Sequence, residues 1–112
     1  MQSSYQSAIN ELNDYLKETY GILQSSHHPG GKNFSNLDHI PLDDKTKSIL
    51  ALSLGISIRC KGCISEQAKK IKQLNVSKKE LLALLGMVVS IGGGASLVYA
   101  ADALEVYNQN ID

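Results

Sequence analysis

The chain has 112 residues, and its eleven Lys and Arg balance eleven Asp and Glu, for a formal net charge of zero. That length suits one domain, and zero charge gives no electrostatic reason to expect nucleic acid or an anionic membrane as a partner. Apolar residues make up 43%, with no Trp and one Phe, so aliphatic side chains must fill the core of a domain small enough to be helped by self-association.

The first residues, Met1 to Tyr5, show no basic region followed by an apolar stretch, so no signal peptide is expected. A first helix is predicted over residues 3–22. Tyr5, Ile9, Leu12, Leu16 and Tyr20 recur at spacings of three and four, which draws one apolar stripe. Residues 24–41 follow, rich in Ser, His, Gly and Asn and holding both prolines, and read as a loop or arm. Within it, His27-His28-Pro-Gly-Gly reads as a solvated turn, or as a loop closing over a neighbouring subunit's site.

A second helix should start near residues 42–44, where acids occupy its first turn, and carry Ile49, Leu50, Leu52, Leu54 and Ile56 toward Cys60. A third opens at Cys60 or Gly62 and runs to about Leu74. Ala68, Ile71 and Leu74 form its buried face, and Lys69, Lys70 and Lys72 its solvated one. Ser77-Lys-Lys-Glu80 before an apolar run is a capping-box pattern that starts a fourth helix, ending near Ile91. Gly92-Gly93-Gly94 breaks it as a tight helix–helix turn, without the spacing of a phosphate-binding loop. A fifth helix then runs from about Ala95 to Tyr107. Met87, Val88 and Val98 fit the core or a subunit interface, and Tyr99 and Tyr107 an interface. No segment alternates with period two, so the expected fold class is all-α, in a single domain over residues 1–112. The apolar region 81–101 is interrupted by Ser90, three glycines and Ser96, which disfavours a membrane span. The cytoplasm is the expected compartment, where a close cysteine pair is more often catalytic or metal-binding than structural.

Cys60 and Cys63 are the only cysteines. Their spacing places both sulfurs on one helix face, within bridging distance. At a helix start, unpaired amides and the helix dipole favour a thiolate. Arg59 and Lys61 add positive charge, and Gly62 removes bulk between the sulfurs. Such a pair can attack a peroxide or a disulfide and resolve the product. Two other readings stand beside it. The cysteines can pack as small hydrophobes, or form half a zinc site completed by His27, His28 or His39. No second Cys pair and no His-x3–5-His is present, so neither a metal nor another cofactor is expected. A thioredoxin-type site would need strands that the sequence does not supply.

The segment 42–64, LDDKTKSILALSLGISIRCKGCI, is similar to the core of the carboxymuconolactone decarboxylase family, on the side of the alkylhydroperoxidase AhpD. The resemblance continues through the capping box and the segment 91–105, IGGGASLVYAADALE, and covers roughly residues 40–106. It implies an AhpD-like fold of about five to six helices and homo-oligomers, usually trimers or hexamers. It further implies peroxide reduction in which Cys63 attacks, Cys60 resolves by forming the disulfide, and a dithiol donor reduces that bond.

The chain departs from the family pattern at two positions. AhpD-like proteins carry a Glu twelve residues before the first cysteine, where this chain has Ser48, and a His four residues after the second, where it has Gln67. Those two groups form the family's proton relay. Gln cannot ionise and Ser is too weakly acidic to serve alone, and losing a positioned base costs about 10²–10⁴ in rate. Asp44, Glu66 or a loop histidine from a neighbouring subunit are the substitutes available. Three functions are therefore open: a slow or specialised thiol oxidoreductase, a non-catalytic or redox-sensing oligomer, and a lactone decarboxylase. The redox pair counts against the last.

Overall fold

A computed structural model describes residues 3–19 and 40–109. Five helices span them: α1 (Ser4–Thr19), α2 (Asp44–Ser57), α3 (Lys61–Gln73), α4 (Lys78–Gly92) and α5 (Ala95–Gln109). No strand occurs among the described residues, so the fold class is all-α, as expected. The expected loop at 24–41, with all three histidines, lies outside the described residues except for its last two positions. The chain divides into two compact units, Met1–Ile40 and Pro41–Asp112.

In the first unit, Ser3 caps α1, its Oγ accepting from the Gln6 N–H at 3.0 Å. The Gln6 and Asn10 side chains bond across one turn at 3.1 Å. No residue of α1 is buried, and Tyr5 and Leu12 of its apolar stripe are exposed.

In the second unit, each helix boundary has a local chemical cause. The Asp43 carboxylate accepts from the Thr46 N–H at 2.7 Å and starts α2. The Thr46 N–H first, and then the Thr46 side chain, hold the Asp43 carboxyl below the usual carboxylate range, with Lys45 adding to the effect. Ser77 and Glu80 exchange bonds as a complete capping box and start α4. The Glu80 carboxyl is likewise held low, first by the Ser77 N–H and then by Lys45, whose Nζ lies 3.3 Å away. The break before α5 needs its glycine, because Gly93 has φ +89°.

The core joins α2, α3, α4 and α5. Leu52, Ile56, Ile64, Ile71, Val76 and Leu81 are its largest wholly buried apolar side chains. Burying each such side chain contributes about 1.5–3 kcal/mol. Spacings of four in α2 (Leu52, Ile56) and of four and three in α3 (Ile64, Ala68, Ile71) aim one face of each helix inward. α3 packs against both α2 and α5. Tyr107 closes the far end of α3, its hydroxyl donating to the Val76 carbonyl at 2.7 Å.

Within the apolar run of α2, Leu50 and Leu54 point outward, because only one face of that helix meets α3. Several expected placements elsewhere are corrected. Met87 and Val98 are 65% and 63% exposed, so of their two expected placements, core or interface, the core is ruled out. Tyr107 is buried in the domain's own core. Lys72 is not a purely solvated lysine, since its Nζ lies 4.7 Å from the centre of the Tyr107 ring and donates to the Tyr107 carbonyl at 3.1 Å.

Candidate active site

The cysteine pair sits where two helix ends meet. α2 closes with two bonds: the Arg59 N–H donates to the Ile56 carbonyl (3.2 Å), and the Cys60 N–H to the Gly55 carbonyl (2.9 Å). This is a Schellman ending, and it requires the left-handed conformation at Arg59, where φ is +61°. Glycine is the usual residue there, and a side chain costs roughly 1–2 kcal/mol. The Arg59 guanidinium lies 5.8 Å from the centre of the Tyr99 ring on α5, a contact that offsets part of that cost. Cys60 is thus tied to the end of α2 through its amide while serving as the N-cap of α3.

Cys60 and Cys63 form a disulfide, with their Cα atoms 5.3 Å apart. The Cys60 sulfur also accepts from the Cys63 N–H at 3.3 Å. Cys63 is 7% exposed, and Cys60 is the more accessible of the two. The expected position at a helix start is therefore as drawn from the sequence, with Cys60 as the cap and Lys61 as the first helical residue. Reduction would release a cysteine beside the unpaired amides of α3, which favour a thiolate.

Gly55 explains how α2 and α3 approach so closely at this point. A Cβ placed there would lie 3.1 Å from the Cys63 Cβ, inside the 3.5–4.0 Å of ordinary carbon contact.

The two relay positions are both inside the protein. Ser48 on α2 and Gln67 on α3 are each 2% exposed. The Gln67 Oε1 is a buried polar atom with no hydrogen-bond partner. Of the proposed substitute bases, Asp44 is exposed and lies 3.4 Å from the Lys47 Nζ, and Glu66 is exposed. His27, His28 and His39 lie outside the described residues. Among the described residues no cluster of three or more His, Cys, Asp or Glu side chains is suited to a metal.

Residues 33–106 match the sequence profile of the carboxymuconolactone decarboxylase family. The chain belongs to that family. Among solved structures, it is similar to the apo form of a carboxymuconolactone decarboxylase family protein from Legionella pneumophila. The two share 33% identity over 93% of this chain and 90% of that one, with a TM-score of 0.61. No functionally curated protein matches the sequence.

Gly55 and Lys47 lie outside the set expected from the sequence, and Arg59 is expected there only as a positive charge beside Cys60. Gly55 was legible as a glycine inside a helical pattern, a sign of close backbone approach. Lys47 is buried beside the Ser48 position, and nothing in its spacing separates it from the exposed lysines. Arg59 in the left-handed region has no sequence signal, because glycine is the expected residue there.

Proposed function

We propose that the protein is an AhpD-like thiol oxidoreductase that cycles Cys60 and Cys63 between dithiol and disulfide. The observation that carries this reading is the bridged pair at the N-terminus of α3, in a chain of this family. With peroxide as substrate, the Cys63 thiolate attacks one peroxide oxygen. The O–O bond breaks, the leaving alkoxide takes a proton to become an alcohol, and Cys63 is left as a sulfenic acid. Cys60 then displaces hydroxide from that sulfur, which leaves as water, and the disulfide forms. A dithiol reductant, protein or small molecule, returns two electrons and two protons. Its thiolate meets Cys60, the more exposed residue of the pair, first, and the Cys63 sulfur leaves.

Neither Ser48 nor Gln67 can take the Cys63 proton, so peroxide turnover is slow. The test is peroxide consumption with a dithiol reductant. Cys63→Ser abolishes turnover, and the pair Ser48→Glu with Gln67→His raises it by about 10²–10⁴. Parental activity in Cys63→Ser would refute the reading. The same two residues favour a second reading, a redox-sensing oligomer that kept the fold without fast catalysis. A pair that titrates with ambient redox potential, but consumes no peroxide even in the double variant, supports it.

The active form in this reading is a homo-oligomer, a trimer or hexamer. Exposed Leu50 and Leu54 on α2 and Ile58 just past its end, at spacings of four, with Leu82, Met87 and Ile91 on α4, supply apolar surface for it. Sedimentation as a 12.1 kDa monomer would exclude it. No described helix is long and apolar enough to cross a membrane, and we place the protein in the cytoplasm, where such a pair is kept mostly reduced.

A further inference from the structure

We propose that Gln67 is a positioning residue for the redox pair: its side-chain oxygen, unpartnered while the disulfide is closed, accepts a hydrogen bond from the Cys63 thiol once the pair is reduced. This inference rests on the reading that Cys60 and Cys63 cycle.

The first observation is an orphan. Gln67 is 2% exposed, and its Oε1 is the buried side-chain oxygen without a partner among the described residues. Native proteins rarely leave such an atom unmade, and each case calls for a cause. Ser48, the other buried polar residue at a relay position, does not donate to it.

The second observation is placement. Gln67 lies four residues after Cys63 in the same unbroken helix, so the two side chains share a face one turn apart. Long helical side chains lean toward the helix N-terminus, which brings the Gln67 amide back over the turn that carries Cys63. Across from that turn, Gly55 offers no side chain at all.

The third is chemistry. In the disulfide, the Cys63 sulfur has no hydrogen to give. A dithiol that reduces it supplies two electrons and two protons and becomes a disulfide itself. The Cys60–Cys63 bond breaks, and each sulfur gains one S–H. The Cys63 S–H is then a buried donor one helical turn from a buried acceptor. Closing the disulfide strands Gln67, and opening it satisfies both groups. Gln67 therefore biases the pair toward the dithiol and makes the disulfide easier to reduce. It also holds the Cys63 proton on sulfur, which slows attack by Cys63 on a peroxide and on a disulfide alike, because the thiolate is the nucleophile in both.

The test uses the full chain and measures the equilibrium of the pair in dithiothreitol redox buffers. In Gln67→Met and Gln67→Leu, which keep bulk and remove the acceptor, the dithiol-to-disulfide ratio falls about tenfold at a given buffer. That corresponds to a potential more negative by about 30 mV. Unfolding of the oxidised and reduced forms is measured alongside. The substitutions favour the oxidised form relative to the reduced one, whereas a purely packing role moves both forms equally. Potentials within twofold of the parent ratio in both variants would overturn the proposal while leaving the redox reading intact. A parent protein whose pair does not respond to the buffers at all would overturn both.

Discussion

Replacing Gly55 by alanine tests whether the closeness of α2 and α3 is what shapes the cysteine site. Two effects oppose each other. Alanine inside a helix is favoured over glycine by about 1 kcal/mol. Against that, the new Cβ would lie 3.1 Å from the Cys63 Cβ, and overpacking of this kind costs about 1–3 kcal/mol. Cys63 cannot yield easily, because its sulfur is tied to Cys60 and its amide is bonded to the Cys60 sulfur. Cys60 is itself held by its amide to the carbonyl of Gly55. The steric effect therefore wins, and Gly55→Ala destabilises by up to about 2 kcal/mol. Gly86 in α4 is the internal control, since a Cβ there meets nothing within 4 Å. Gly86→Ala gains about 0.5–1 kcal/mol. Thermal unfolding followed by circular dichroism should separate the two variants by at least about 2 °C, with the parent between them. Under reducing conditions the gap narrows, because an unbridged Cys63 can move. Equal stabilisation by both alanines would show that the α2–α3 approach is not tight at the pair.

Three other perturbations check the frame that holds the site. Tyr107→Phe removes the donor to the Val76 carbonyl and lowers stability by about 1–3 kcal/mol in urea denaturation; an unchanged midpoint would mean that the buried bond does not contribute. Ser77→Ala removes the side chain that accepts from the Glu80 N–H and costs about 1 kcal/mol, and a midpoint equal to the parent's would show that the α4 cap is dispensable. Glu80 has a carboxyl pKa lowered on folding, first by the Ser77 N–H and then by Lys45. A depressed folded pKa means that its stabilisation is present above the ordinary value of 4.5 and is lost as pH falls through the lower folded value. The melting-temperature gap between the parent and Glu80→Gln should therefore shrink on acidification. A gap that stays constant from about pH 7 to pH 3 contradicts the assignment.

The helices were legible because their ends carry their own chemistry. Asp43, Ser77 with Glu80, and Gly93 each mark a boundary by a local bond or a backbone angle that a sequence can announce. Burial was less legible, because it depends on which neighbour each face meets. Leu50 and Leu52 are equally apolar, yet one is exposed and the other wholly buried. Lys72 shows the same limit, since its partner Tyr107 lies 35 positions away.

The pair itself was plain from spacing, but the state of its surroundings was not. Ser48 and Gln67 stand where the resemblance to AhpD-like proteins implies two ionisable relay groups, and such side chains can be exposed and idle or buried. Both are buried, and that decides what the two residues mean physically. An exposed Gln67 would exchange hydrogen bonds with water in either redox state and leave the pair's equilibrium alone. A buried one with an unpartnered oxygen has a free energy that changes when a donor appears next to it. In the proposed reading, the position where the AhpD-like resemblance implies a proton carrier holds an acceptor for a proton. Sequence alone reads this as lost chemistry. The burial turns it into a thermodynamic bias on the pair, so the redox equilibrium, more than the peroxide rate, is where Gln67 will make its presence measurable.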